Sequence, residues 1–183
     1  LTFVGVAKAI ANDIVDPMSL NAFEDDVTGS IVILAALLSA ITWNLLTWYY
    51  GIPSSSSHTL IGSIAGAAIG AAGFAILNYE GFGKILIALI VSPLLAITVG
   101  FIVMSLFKVL FKNLSLYKTN SRFRILQIGT AALQAFTHGT NDAQKAMGII
   151  TMALIAGGLQ QTDEVQGWVR FACALAMGLG TSI

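Results

Sequence analysis

Residues 27–79 read VTGSIVILAALLSAITWNLLTWYYGIPSSSSHTLIGSIAGAAIGAAGFAILNY, and this stretch decides the fold class. Its 53 residues contain no Asp, Glu, Lys or Arg. A helix that crosses a bilayer needs about 20 predominantly apolar residues. A soluble fold of this size cannot hide so long an uncharged run. The stretch therefore predicts an all-α, polytopic membrane protein.

The composition of the whole chain supports this prediction. Of its 183 residues, 56% are hydrophobic and only 10% are charged, whereas an average soluble domain has about 25% charged residues. The formal net charge is zero, which excludes a basic nucleic-acid surface and an acidic disordered tail. The single cysteine, Cys173, excludes a disulfide framework and a thiolate metal cage. We therefore expect no metal site, no cofactor and no nucleic-acid partner.

Charged and turn-forming residues divide the chain into apolar segments. A weakly apolar first segment, 1–22, precedes the acidic residues 24–26. Among the later segments, that at 60–77 carries glycines at positions 62, 66 and 70, a spacing that favours close helix packing in lipid. The predicted spans are 31–50, 60–77, 85–107, 125–159 with an interruption at its centre, and a last one that begins at 168.

The distribution of basic residues predicts which way these spans point. Residues 108–124 contain five of the nine basic residues and no acidic one. Under the positive-inside rule this connector is cytoplasmic. Counting back through the spans places the 78–84 loop and the acidic residues 24–26 outside. The predicted organisation is thus 1–107, the connector 108–124, and 125–183, within a multi-pass membrane protein.

Two polar segments interrupt the apolar pattern. The first, at 51–58, reads GIPSSSSH, and the second, at 138–145, reads HGTNDAQK. In lipid, non-helical backbone survives only where protein buries it or where it lines a cavity. Ser, Thr, Asn and Asp are also the preferred N-cap residues. Each segment therefore predicts the start of a discontinuous or re-entrant half-helix whose positive end binds an anion.

The second interruption also carries charge. Asp142 is an ionisable residue within an apolar span, which favours a role in coupling to a cation or a proton. Lys145 follows one helical turn later, close enough to pair with it. Asn12 and Asp13 repeat the Asn-Asp pair without the preceding Gly, and we interpret them as a coincidental match. His58 and His138 flank the two segments, where a proton relay and a capping or packing role are equally compatible with the sequence.

These two segments resemble the paired signatures of the inorganic phosphate transporter (PiT) family, especially its bacterial low-affinity branch. The quoted motifs are GIPSSSSH at 51–58 and FTHGTNDAQKAMG at 136–148. The resemblance implies an inverted-repeat transporter. This chain would then be a central fragment, with the later part of the first repeat in 1–107 and the earlier part of the second in 125–183.

The resemblance also implies a set of site residues. Asp142, Asn141 and Ser55 would serve the coupled cation or proton. Lys145 departs from the general family pattern, which has a second Asn at that position. The substrate-binding set would comprise Ser55, Ser56, Ser57, Thr140, Asn141, Asp142 and Gln144.

The function expected from the resemblance is secondary active transport of inorganic phosphate, coupled to H⁺ or Na⁺, in the bacterial inner membrane. Sulfate is an alternative substrate, because both anions are tetrahedral oxyanions. An intramembrane serine hydrolase using Ser57, His58 and Asp142 is an alternative of another class, although the chain lacks a Gly-x-Ser-x-Gly elbow. A passive channel is a third. We expect no enzyme activity, membrane lipid as a partner, and a homo-oligomer as one assembly that the sequence permits.

Overall fold

A computed structural model describes residues 5–16, 27–113 and 115–182. Within these ranges the chain is helical, with one isolated bridge between Val15 and Leu77 and no strand. The all-α prediction is confirmed. The predicted acidic loop at 24–26 lies outside the described residues. The helices are α1 (Gly5–Asn12), α2 (Thr28–Tyr49), α3 (Ser56–Ala72), a 3₁₀ turn (Phe74–Ile76), α4 (Tyr79–Phe111), α5 (Leu116–Ala156) and α6 (Gly167–Gly180).

Two of these helices are long and apolar enough to cross a membrane. They are α2, with 22 residues, and α4, with 33 residues. Helix α4 shows its apolar side chains on the surface, among them Ile97 at 70% and Phe101 at 72% exposure. Lipid rather than water is the favourable neighbour for such a surface. Helices α2 and α4 are therefore candidate membrane spans.

Helices α2 and α3 form an antiparallel pair joined by a short turn. Gly51 ends α2 with a φ of +64°, a left-handed conformation that glycine adopts without steric cost. The buried residues of both helices recur at intervals of four, as expected for one face of a helix. They include Val32, Ala36 and Ala40 on α2, and Leu60, Ile64 and Ala68 on α3.

The three glycines of α3, at positions 62, 66 and 70, do not form the contact between α2 and α3. A Cβ added at Gly62, Gly66 or Gly70 would meet no atom within 4 Å. The expectation that this spacing brings two helices together is wrong for the described structure. The larger residues Leu60 and Ile64, together with Ala68, form the packed face instead, because they remove more apolar surface from contact with the surroundings.

The predicted interruption of the fourth span is also wrong. Helix α5 continues from Leu116 to Ala156 through residues 138–145 without a break. This segment contains no proline, and Ala143, Gln144 and Lys145 are good helix formers. The Thr140 hydroxyl donates to the Phe136 carbonyl oxygen at 2.8 Å, a bond that helical threonines form within their own helix. The discontinuous half-helix expected at 138–145 is thus absent.

The chain divides into two compact units. One contains residues 1–83 and 141–183, and the other contains residues 84–140. The first unit has a buried cluster of α1, α5 and α6 side chains that includes Ala7, Met147 and Val169. The second has an aromatic cluster in which the Phe111 and Phe123 rings lie 5.2 Å apart in an edge-to-face arrangement. The first motif, 51–58, and residues 141–148 of the second motif belong to the first unit. Residues 136–140 of the second motif belong to the second unit.

Candidate functional site

The serine segment forms the N-terminus of α3. Ser55 is the N-cap residue, with an extended backbone (φ −98°, ψ 116°), and its side-chain oxygen accepts from the backbone N–H of His58 at 3.4 Å. The first N–H groups of a helix have no acceptor within that helix. Those of Ser56 and Ser57 therefore lie at the positive end of α3. The helix start predicted for the first motif is confirmed.

His58 is tied to the same cap. Its Nδ1 lies 2.7 Å from the Ser55 Oγ, and the Thr59 hydroxyl donates to the Ser55 carbonyl oxygen at 3.0 Å. These contacts show His58 taking part in the capping arrangement. They fix the Ser55 hydroxyl at the helix end.

A cluster of three side chains joins the two motifs. The Lys145 ammonium donates to the Asp142 Oδ1 at 2.5 Å, which confirms the predicted pair. The same ammonium donates to the Ser56 Oγ at 3.4 Å, across 89 positions of sequence. The Lys145 and Asp142 side chains are 19% and 24% exposed. We call Ser56, Asp142 and Lys145 the bridge cluster.

The remaining predicted residues of the second motif have different surroundings. Asn141 is exposed, whereas Gln144 is 4% exposed. The Gln144 Oε1 accepts from the backbone N–H of Val6 at 3.2 Å, at the N-terminus of α1. Gln144 therefore satisfies a helix-end donor in this structure. Thr140 bonds to its own helix, as described above.

A polar groove lies beside the serine segment, between α2 and α3. It is a cavity of about 350 Å³, and the hydroxyls of Ser39 and Ser63 lie 3.5 Å apart on its two walls. Such hydroxyls supply hydrogen bonds in an otherwise apolar pair of helices. The residues that line it are Ser39, Trp43, Ser54, His58, Thr59, Gly62 and Ser63.

The Asn12-Asp13 pair has a structural environment of its own. The Asn12 side-chain amide donates to the Asp163 Oδ2 at 3.3 Å, and Lys8 Nζ lies 3.0 Å from the same oxygen. The hydrogen bond from Lys8 lowers the pKa of Asp163 below its usual value. These bonds hold α1 against the loop that precedes α6. They fit the interpretation of Asn12-Asp13 as a coincidental match to the motif.

The sequence reasoning missed the contact between Lys145 and Ser56. The Asp142–Lys145 pair is readable from its spacing on a helix, but no local pattern relates Lys145 to a serine so distant in the chain. In the part of the chain that the structure describes, no three His, Cys, Asp or Glu residues are grouped so as to hold a metal ion.

The fold and the bridge cluster define a class of protein: a helical membrane protein with a hydroxyl-rich helix N-terminus beside a lysine–aspartate pair. The sequence matches the phosphate transporter family over residues 1–121 and 112–183. The chain belongs to this family, and the resemblance to phosphate transporters is confirmed. The relatives that the chain matches are named as transporters, which is consistent with a protein that is not an enzyme.

Three relatives illustrate the similarity. A probable low-affinity inorganic phosphate transporter of Bacillus subtilis is 65% identical over 100% of this chain and 54% of its own length. A protein of the same name from Mycobacterium leprae is 42% identical over 96% of this chain and 41% of its own length. The low-affinity inorganic phosphate transporter PitB of Escherichia coli is 33% identical over 83% of this chain and 35% of its own length. No solved structure matches the chain.

The chain thus spans about half the length of the Bacillus subtilis relative, and less of the other two.

Proposed function

We propose that the full-length protein containing this chain carries inorganic phosphate across the bacterial inner membrane by secondary active transport, coupled to H⁺ or Na⁺. Membership of the phosphate transporter family and the names of the relatives support phosphate as the substrate. The expected orientation is that 108–124 lies in the cytoplasm. The expected architecture is an inverted repeat, to which segments beyond this chain contribute matching motifs.

The bridge cluster is the observation that carries the proposal. It brings an ammonium group to the N-terminal end of α3, where Ser56 and Ser57 present hydroxyls and backbone N–H groups. Helix N-termini favour anions because their N–H groups and dipole point outward. An ammonium has three N–H donors, so Lys145 can bond Asp142, Ser56 and a phosphate oxygen together.

The polar groups of this region have distinct proposed roles. Ser55, Ser56 and Ser57 replace water around the phosphate oxygens, and Thr140, Asn141 and Gln144 remain in the proposed substrate-binding set from the motif. Asp142, with Asn141 and Ser55, serves the coupled ion. Neutralising the anion lowers the cost of moving it through a low-dielectric environment.

Uptake by the full-length protein tests this function. We expect a bacterial strain without other phosphate transporters to accumulate labelled phosphate only when the protein is expressed. Ionophores that dissipate both the H⁺ and the Na⁺ gradients should stop the accumulation. Asp142→Asn should reduce gradient-driven uptake by at least about tenfold, because a charged hydrogen-bond partner contributes about 1.5–3 kcal/mol. Asn120→Gln, on an exposed position of α5, is the control and should leave uptake unchanged.

Competition separates phosphate from sulfate. Excess unlabelled phosphate should block uptake of the label, whereas the same excess of sulfate should not. Inhibition by sulfate to the same extent would favour the sulfate alternative. Uptake that equilibrates but never accumulates against a gradient would instead favour a passive channel.

A further inference from the structure

We infer that Lys145 is the resident cation of the transport site and that its ammonium makes phosphate uptake independent of Na⁺. This inference rests on the proposed function, because it concerns the ion that accompanies the substrate. It assigns the ion specificity of the site to Lys145, in addition to its proposed contact with a phosphate oxygen.

The position of the ammonium is the first argument. Hard cations bind to carboxylate and hydroxyl oxygens. The carboxylate of Asp142 and the hydroxyl of Ser56 are such oxygens, and Lys145 Nζ lies 2.5 Å from Asp142 Oδ1 and 3.4 Å from Ser56 Oγ. The ammonium thus contacts both of these motif oxygens, which are of the kind that bind a small cation.

The charge balance is the second argument. Lys145 and Asp142 are largely covered, at 19% and 24% side-chain exposure. An uncompensated charge on a side chain so little exposed to solvent is costly, and a carboxylate in this position needs a positive partner. Lys145 already supplies that charge. A bound Na⁺ would add a second cation next to the first and would have to displace the ammonium from both oxygens.

The two contacts together distinguish this arrangement from an ordinary helical ion pair. A pair at i and i+3 stabilises its own helix by about 0.2–0.5 kcal/mol and needs no third group. Lys145 also reaches Ser56 on α3, next to the N-cap Ser55. Its charge is therefore placed at the helix end proposed to receive the anion.

Replacing Na⁺ by choline in the uptake assay tests the inference with the full-length protein. We expect equal phosphate uptake by the wild type in the two salts. Lys145→Asn removes the charge and supplies an amide oxygen, so it should lose at least about tenfold of uptake in choline and recover much of it in Na⁺. Lys145→Arg retains the charge and should stay independent of Na⁺. Lys145→Met, with neither charge nor oxygen, should be inactive in both salts.

A binding measurement covers the case in which Lys145→Asn is inactive. The thermal unfolding midpoint of the purified protein should not change when Na⁺ replaces choline in the wild type, and it should rise in Lys145→Asn, since a ligand that binds only the folded state stabilises it. Wild-type uptake that requires Na⁺ would overturn the inference, as would a Lys145→Asn protein that Na⁺ neither activates nor stabilises. A wild type that takes up no phosphate in either salt would instead overturn the proposed function, while the unfolding midpoints would still test whether Lys145 excludes Na⁺.

Discussion

At the scale of single residues, Gly148 shows how closely α1 approaches α5. A Cβ added at this position would lie 2.6 Å from the carbonyl oxygen of Ala7 and 3.1 Å from the Cβ of Ile10. Because a backbone oxygen cannot rotate aside, a side chain here must push the two helices apart. The same contact places Gln144 at the N-terminus of α1, where it accepts from Val6.

We therefore expect Gly148→Ala to destabilise the protein. Overpacking in a close contact costs about 1–3 kcal/mol, which exceeds the gain of about 0.5–1 kcal/mol that alanine brings to a helix interior. The matched control is Gly129→Ala in the same helix, where an added Cβ meets no atom within 4 Å. Thermal unfolding in detergent should show a lower midpoint for Gly148→Ala and an unchanged or higher one for Gly129→Ala. Equal midpoints for the two variants would show that α1 does not pack as described.

The sequence predicts some contacts of the candidate site and does not predict others. The Asp142–Lys145 pair follows from helical spacing, and the structure confirms it. The burial of Gln144 and the contact between Lys145 and Ser56 depend on how α1 and α3 pack against α5. Such packing joins positions far apart in the chain, so periodicity and spacing carry no signal for it.

At the scale of elements, the two motifs behave differently although their compositions are similar. Pro53 and Gly51 oblige the chain to leave the helix before the serines, and α3 starts anew at Ser56. The segment 138–145 has a glycine but no proline, so helix α5 continues through it. Polar residues alone therefore did not identify a helix break, whereas proline with a left-handed glycine did.

The N-cap of α3 allows stability to be separated from substrate binding. Ser55→Ala removes the cap and should lower both the unfolding free energy, by about 1 kcal/mol, and phosphate uptake. Ser55→Asp keeps an acceptor for the His58 N–H and places a negative charge at a helix N-terminus, where it is favourable. It should retain the wild-type unfolding midpoint and still lose uptake, because a carboxylate repels the phosphate. Near-normal uptake by Ser55→Asp would exclude direct contact between Ser55 and the anion.

At the scale of the whole molecule, the scarcity of charge predicts a membrane protein, but it does not predict which segments are helical. The uncharged run and the apolar α4 correspond to two helices long enough to span a bilayer. The basic connector is largely helical: 108–111 end α4, and 116–124 begin α5. Charge counts predict the side of the membrane on which a segment lies, and they contain no information on whether its backbone is helical.

The predicted orientation makes the two ends of α4 accessible from opposite faces of the membrane. Cys173 is the single cysteine of this chain and is 5% exposed, so Cys173→Ala removes it at little packing cost. Any cysteine in the rest of the full-length protein is replaced in the same background. On this background, Glu80→Cys lies at the start of α4, and Asn120→Cys lies in the basic connector; both positions are exposed. A membrane-impermeant maleimide should label Glu80→Cys in intact cells and Asn120→Cys only in inside-out vesicles, because the positive-inside rule predicts a cytoplasmic location for a connector with five basic residues. Labelling of both positions from the same face would mean that α4 does not cross the bilayer, and the reverse pattern would mean that the charge distribution does not set the orientation of this chain.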